Sequence, residues 1–191
     1  MPVQRIPRYV LLLQDLLNNT VKEHPDYENI NGALGRVKDF ANYINVSKRQ
    51  TENLEKLRAI QERLASDAED IVKEGRKFVR EGAAEVKDKK KSIKGQLYLL
   101  SDLLLITKPK KGKEVVVAAL DLTSCAVTDQ SEDPPGFTIA TPSGQWRVTF
   151  DDKKSSDSWQ SALSAQVKGI FESLVGDAPK QDGKMNMLGT P

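Results

Sequence analysis

At Gly75 the hydrophobic period of this chain changes, so two different kinds of structure have to follow one another. Before it, apolar residues return every three or four positions: Tyr27, Ile30, Leu34, Val37, Ala41 and Ile44, then Leu54, Leu57, Ile60 and Leu64. That spacing is a packed helical seam. After Gly75 the apolar residues alternate in short runs separated by Gly, Pro, Asp and Ser, the pattern of strands joined by turns. The expected class is α+β, with long helices first and a sheet second.

The first helix is read over residues 2–19. Ile6, Val10, Leu13 and Leu17 follow one track, and Tyr9, Leu12 and Leu16 a neighbouring one. A helix apolar over most of its circumference belongs inside a bundle. Gln4, Arg5 and Arg8 then face whatever side is left uncovered, a candidate docking face. Asn18, Asn19 and Thr20 compete with the helix for backbone hydrogen bonds and end it. His24-Pro25-Asp26 starts the second helix, with Pro suited to the first helical position and Asp26 and Glu28 near the positive end of the dipole. The period carries it from about residue 26 to about 73, with Gly75 as C-cap and domain boundary.

Seven strands are expected, at Lys77–Val86, Gly95–Leu100, Asp102–Thr107, Glu114–Leu120, Cys125–Thr128, Gly136–Thr141 and Gln145–Phe150. A closing helix over 155–174 puts Trp159, Leu163, Val167, Ile170 and Phe171 on one face. The domain organisation is therefore 1–75 helical, 76–174 a seven-stranded barrel or sandwich capped by a helix, and 175–191 a disordered tail without apolar periodicity.

The net charge of +2 conceals one basic block. Residues 1–75 carry 11 Lys and Arg against 12 Asp and Glu, residues 76–113 carry 12 against 4, and residues 114–191 carry 6 against 11. Cys125 and His24 are single, so an intrachain disulfide, a zinc site and Cys-His or Ser-His catalysis lack partners. No cofactor or metal is expected, and the cysteine usage suits the cytosol. No apolar run is long enough to span a membrane, and the N-terminus has no signal-peptide pattern. Nucleic-acid binding wants aromatics among the basic residues. Tyr98 is the one candidate and reads as a core residue of its strand.

Two stretches carry family resemblances. The run Pro2-Val-Gln-Arg-Ile-Pro-Arg-Tyr9 with Leu11-Leu-Leu13 and Leu16-Leu17, then Thr20, His24-Pro-Asp-Tyr27 and Ala41-Asn-Tyr-Ile-Asn45, resembles the last two core helices of Dbl-homology (DH) domains, the exchange modules of Rho guanine nucleotide exchange factors. It covers about residues 2–65. Leu97-Tyr-Leu-Leu-Ser-Asp-Leu-Leu-Leu-Ile106 and Ser158-Trp159 with Ala162-Leu163, in the setting of seven strands and one helix, resemble a pleckstrin-homology (PH) domain over about 76–173. A DH helix pair leading into a PH domain is the tandem of these exchange factors.

The resemblance implies partners. Arg8 and Asn45, with Gln4 and Arg5 beside them, match positions that contact the switch regions of a Rho/Rac/Cdc42-type GTPase. It also implies that exchange needs a Glu on the first DH helix, and residues 1–75 supply two helices only. The chain by itself is expected not to catalyse exchange. Lys87, Lys89, Lys90, Lys91 and Lys94 around the first strand connection, and Lys108, Lys110, Lys111 and Lys113 around the third, fall at the end that in PH domains faces phosphoinositides. In the tight-binding PH pattern Lys87 and Lys94 match, but Gln96 stands in place of an Arg and cannot form the charged fork to a phosphate. Weak binding to anionic lipid, peripheral at the plasma membrane, is the expectation. The alternative function is a non-catalytic adaptor binding a GTPase or a membrane. The apolar first helix, short of bundle partners, is expected to form a homodimer through residues 2–65.

Overall fold

The computed structural model describes residues 2–88, 91–130 and 134–176. Helix α1 (Pro2–Asn18) and helix α2 (Tyr27–Arg63) come first. At the end of α1, the side chains of Asn19 and Thr20 donate back to the carbonyls of Asp15 and Leu16 at 2.8 and 2.7 Å, the local competition expected of Asn and Thr. The chain forms two compact units, Met1–Ala59 and Ile60–Pro191.

In the first unit α1 packs with the track Ile6, Val10, Leu13 and Leu17, all half-buried, toward α2, where Leu34 is buried and Ile30, Val37, Ala41 and Ile44 are half-buried. Tyr9, Leu12 and Leu16, the second track, stay more than half exposed. Lys38 Nζ donates to Gln14 Oε1 across the pair at 3.0 Å.

Helix α2 stops at Arg63, about ten residues short of the sequence expectation. Tertiary hydrogen bonds replace the helical ones. Ala65 N donates to the Glu114 carbonyl at 2.8 Å, and Leu64 bridges Glu114 in parallel. Asp70 accepts from Val72 N, and Gln61 Oε1 accepts from Ile71 N at 2.7 Å. An apolar period persists through Ile71 because that side chain is buried in a loop instead of on a helix.

The second unit holds seven antiparallel strands: β1 (Phe78–Lys87), β2 (Ser92–Leu100), β3 (Leu103–Lys110), β4 (Lys113–Asp121), β5 (Ala126–Gln130), β6 (Gly136–Thr141) and β7 (Gly144–Thr149). They order as β4-β3-β2-β1-β7-β6-β5. Only Glu85–Lys87 of β1 pair with β7, so the sheet turns there and encloses a core. Helix α3 (Lys153–Gly176) closes it. At its start the Asp152 carboxylate accepts from the Ser155 hydroxyl and amide, both at 2.7 Å, and these bonds hold its pKa below the usual carboxylate range.

Leu97, Leu99, Leu104, Ile106, Phe137, Ile139, Val148 and Leu163 form the centre of this core. Trp159 stacks on Phe150 with centroids 6.2 Å apart. Gly82 makes room for that indole: a Cβ there would lie 3.0 Å from its ring nitrogen. This is the α+β plan expected, two helices and then a seven-stranded sheet capped by a helix. The tail from residue 177 onward lies outside the described residues.

Candidate functional site

Two residue groups were singled out by sequence, and each lies within one unit. On the helical unit, Arg5 and Arg8 are exposed on α1, and Gln4 lies in the first turns of the same helix. A small cleft lined by Ile6, Pro7, Ala41, Ile44 and Asn45 brings the exposed Asn45 of α2 beside those turns. The start of α1, which bears the arginines, thus lies beside the middle of α2, which bears the Asn. The arrangement offers exposed guanidinium donors on the helix turns that pack beside an amide able both to donate and to accept.

The other group is at one end of the sheet. The register pairs Lys87 with Ser92, Lys110 with Lys113, and Thr141 with Gly144, so the β1–β2, β3–β4 and β6–β7 connections share that end. Lys87, Lys91, Lys94, Lys108, Lys110, Lys111 and Lys113 are all exposed there. Lys89 and Lys90 lie outside the described residues. The β3–β4 hairpin turns through Lys111 at φ 50° and Gly112 at φ 78°, the left-handed pair that two-residue hairpins require. Gln96 is half-buried on β2.

Two features of this end were not read from the sequence. Arg147 on β7 stands opposite Lys87 in the ladder and extends the basic face, which needs strand register to see. Lys113 Nζ donates to the Glu62 carbonyl at 2.6 Å, at the C-terminal end of α2, where a cation is favoured by the helix dipole.

Behind the basic end, the outer face of β2–β4 is covered. Tyr98, Leu100 and Leu105 alternate away from the main core and are buried all the same, together with Ile60, Leu64 and Ile71 from the helix end and the loop after it. A polar network holds this second layer. Tyr98 Oη donates to the Glu114 carboxylate at 2.8 and 2.9 Å, and Thr107 Oγ1 donates to it at 2.7 Å. Arg63 lies over the Tyr98 ring at 5.2 Å and pairs with Glu81 at 2.7 Å. Burial, and then the Glu114 carboxylate beside it, push the Tyr98 phenol well above its ordinary pKa. The one available sign in the sequence is Glu114 itself, an acid beside four hairpin lysines.

A further tie is Arg76. Its side chain is 7% exposed and forks onto Asp102, with Nη2–Oδ2 at 2.6 Å and Nε–Oδ1 at 2.8 Å, while Nη1 donates to the Ile71 carbonyl at 3.2 Å. Among the described residues, no group of His, Cys, Asp and Glu is placed to hold a metal ion, and no helix is long and apolar enough to cross a membrane.

Comparison with known proteins agrees with this architecture. Residues 1–45 match the RhoGEF domain family. Over 178 residues, 88% of this chain, the sequence is 32% identical to Rac guanine nucleotide exchange factor JJ of Dictyostelium discoideum, of which it covers 15%. Over 183 residues, 94% of the chain, it is 40% identical to human FYVE, RhoGEF and PH domain-containing protein 6, of which it covers 13%. Among solved structures, the truncated linker-DH/PH domains of p115-RhoGEF share the fold with a TM-score of 0.73 at 24% identity, over 87% of this chain and 55% of that one. The chain belongs to the Dbl-family RhoGEFs: it holds the C-terminal part of a DH domain followed by a PH-like sheet. It spans 15% or less of the length of these two curated relatives.

Proposed function

We infer that the helical unit supplies part of a docking surface for a Rho/Rac-type GTPase, and that the PH-like sheet binds anionic membrane lipid weakly. The RhoGEF match over residues 1–45 carries the first half, because it falls on the helices that bear Arg8 and Asn45. A guanidinium can bind a switch carboxylate or carbonyl through several donors, and the Asn amide adds one donor and one acceptor. Arg5 is exposed on the same helix and is assigned to the same surface, with Gln4 preceding it in the chain. The exchange chemistry implied by the resemblance draws on a Glu of the first DH helix, which these two helices do not include, so this segment binds without releasing nucleotide.

The exposed lysines at one end of the sheet support the second half. Each Lys near an anionic surface contributes roughly 1 kcal/mol. With Gln96 unable to fork onto a phosphate, the attraction is electrostatic and selects little among phosphoinositides. A protein so equipped sits peripherally at the cytoplasmic face of the plasma membrane.

A fluorescent-nucleotide release assay with Rac tests the first half. The 191-residue chain is expected to leave the release rate unchanged while binding nucleotide-free Rac in calorimetry. Arg8→Ala with Asn45→Ala is expected to weaken that binding by about tenfold or more, the loss of two interface anchors. Acceleration of release at micromolar protein, or binding indifferent to both substitutions, would overturn the assignment.

A further inference from the structure

Strand β5 is an edge of the sheet, paired to β6 alone. Its inward residues, with Cys125 just before it and Val127 within it, face helix α3. The helix continues past that edge. Between α3 and the stretch leading into β5 runs an open groove of about 320 Å³, in whose lining Val127 is the β5 residue; Cys125, Val167, Ile170, Phe171 and Leu174 line it as well, and Thr123, Ser164 and Lys168 add polar edges. The outer wall is apolar and wet: Phe171 is 66% exposed and Leu174 63%, with Val175 beyond them at 57%.

An edge strand presents a row of backbone N–H and C=O groups that only another extended chain can satisfy along its whole length. Exposed Phe and Leu beside such an edge are costly to leave in water. The size of the patch selects the occupant. Phe171, Leu174 and Val175 form a patch about one helical turn long, far narrower than the roughly 20–30 residues a side of a stable protein–protein interface. A second folded copy is therefore a poor fit, whereas a strand of five or six residues, ~17–20 Å long, matches the five residues of β5.

We propose that the groove between β5 and α3 takes an extended peptide segment of a partner protein, added as a further strand to β5. Its side chains alternate: one set enters the groove against Val167, Ile170, Phe171 and Leu174, and the other faces solvent. The partner segment is accordingly an unstructured stretch with apolar residues at every second position. Affinity comes from the backbone ladder and specificity from the apolar pockets, so binding is independent of the basic end of the sheet and of the helical unit.

The probe is a pool of blocked octapeptides with Ile, Leu, Val or Phe at alternate positions and Ser, Thr or Lys between them, titrated into the isotope-labelled full chain. Amide shifts are expected in Ala126–Gln130 and along Val167–Leu174. N-methylating the peptide amides that would bond to β5 is expected to abolish them, while methylating the other set is tolerated. Phe171→Asp with Leu174→Asp is expected to weaken binding by about tenfold or more with an unchanged melting temperature, since both side chains are mostly exposed. A pool that leaves these segments unperturbed overturns the proposal. So does equal binding by scrambled peptides or by both methylated sets, or full binding by the double variant. Protection of β5 that rises with protein concentration without peptide would assign the groove to a second copy and overturn it too.

Discussion

Glu114 shows how much one residue of this chain does at once. Its carboxylate accepts from Tyr98 and Thr107, and its carbonyl accepts from Ala65 N. The carboxylate is held by neutral donors in a half-buried place, so each donor matters. Tyr98→Phe keeps the ring under Arg63 and removes one charge-assisted hydrogen bond, an expected loss of about 1.5–3 kcal/mol in denaturant unfolding. The phenol pKa is raised in the folded state, so its contribution is fully present below pH 10, the ordinary phenol value, and is lost as pH rises toward the higher folded value. Stability of the parent chain should fall above pH 10, and Tyr98→Phe should flatten that fall; parallel pH profiles would refute the assignment. Arg76→Ala removes the fork to Asp102 and one of the two donors to the Ile71 carbonyl, which keeps the Lys73 amide at 3.1 Å. Because Asp102 stays half exposed and recovers water, the expected cost is about 2 kcal/mol, below the full penalty for breaking a buried pair. Arg76→Lys should restore only part of it, since an ammonium cannot form the fork.

Among the elements, the β3–β4 hairpin concentrates the charge. Lys91→Glu, Lys108→Glu and Lys110→Glu together replace three exposed cations at the shared end. At roughly 1 kcal/mol per Lys this is at least a hundredfold loss of binding to phosphatidylserine-containing vesicles, read by sedimentation. Binding that survives would move the lipid site to another face. Helix α1 makes the opposite demand. Leu11, Leu12 and Leu16 are 70, 64 and 52% exposed, and Tyr9 is 53% exposed. Burying each Leu is worth roughly 1.5–3 kcal/mol, so the 191-residue chain is expected to dimerise through residues 2–65 at low micromolar concentration. Sedimentation equilibrium checks this, and Leu12→Glu with Leu16→Glu should give monomers whose sheet still melts cooperatively. A parent chain that sediments as a monomer would discard the dimer.

For the molecule as a whole, charge is segregated along the chain, with net +8 in residues 76–113 against a mildly acidic remainder. Vesicle binding should therefore fall steeply with added salt, because exposed charges are screened beyond about 8 Å at physiological ionic strength. A salt-independent affinity would point to insertion of apolar groups in place of the lysine field.

The sequence by itself determined the order and kind of elements. Period, turn residues and the Gly75 transition are local properties of the chain, and they located two helices, seven strands and a closing helix. Residue types with their spacing also carried the DH and PH resemblances, and grouped the lysines into two connections. The tertiary structure decided what local rules cannot. It ended α2 at Arg63, because Leu64 and Ala65 find Glu114 across the chain. It put Arg147 opposite Lys87 through strand register, and it committed Lys113 to the Glu62 carbonyl. It also buried Tyr98, Leu100 and Leu105 on the face of the sheet that turns away from the main core. In each case the partner lies dozens of residues away or on a neighbouring strand, and a periodicity read along one segment contains no information about which distant group will satisfy it.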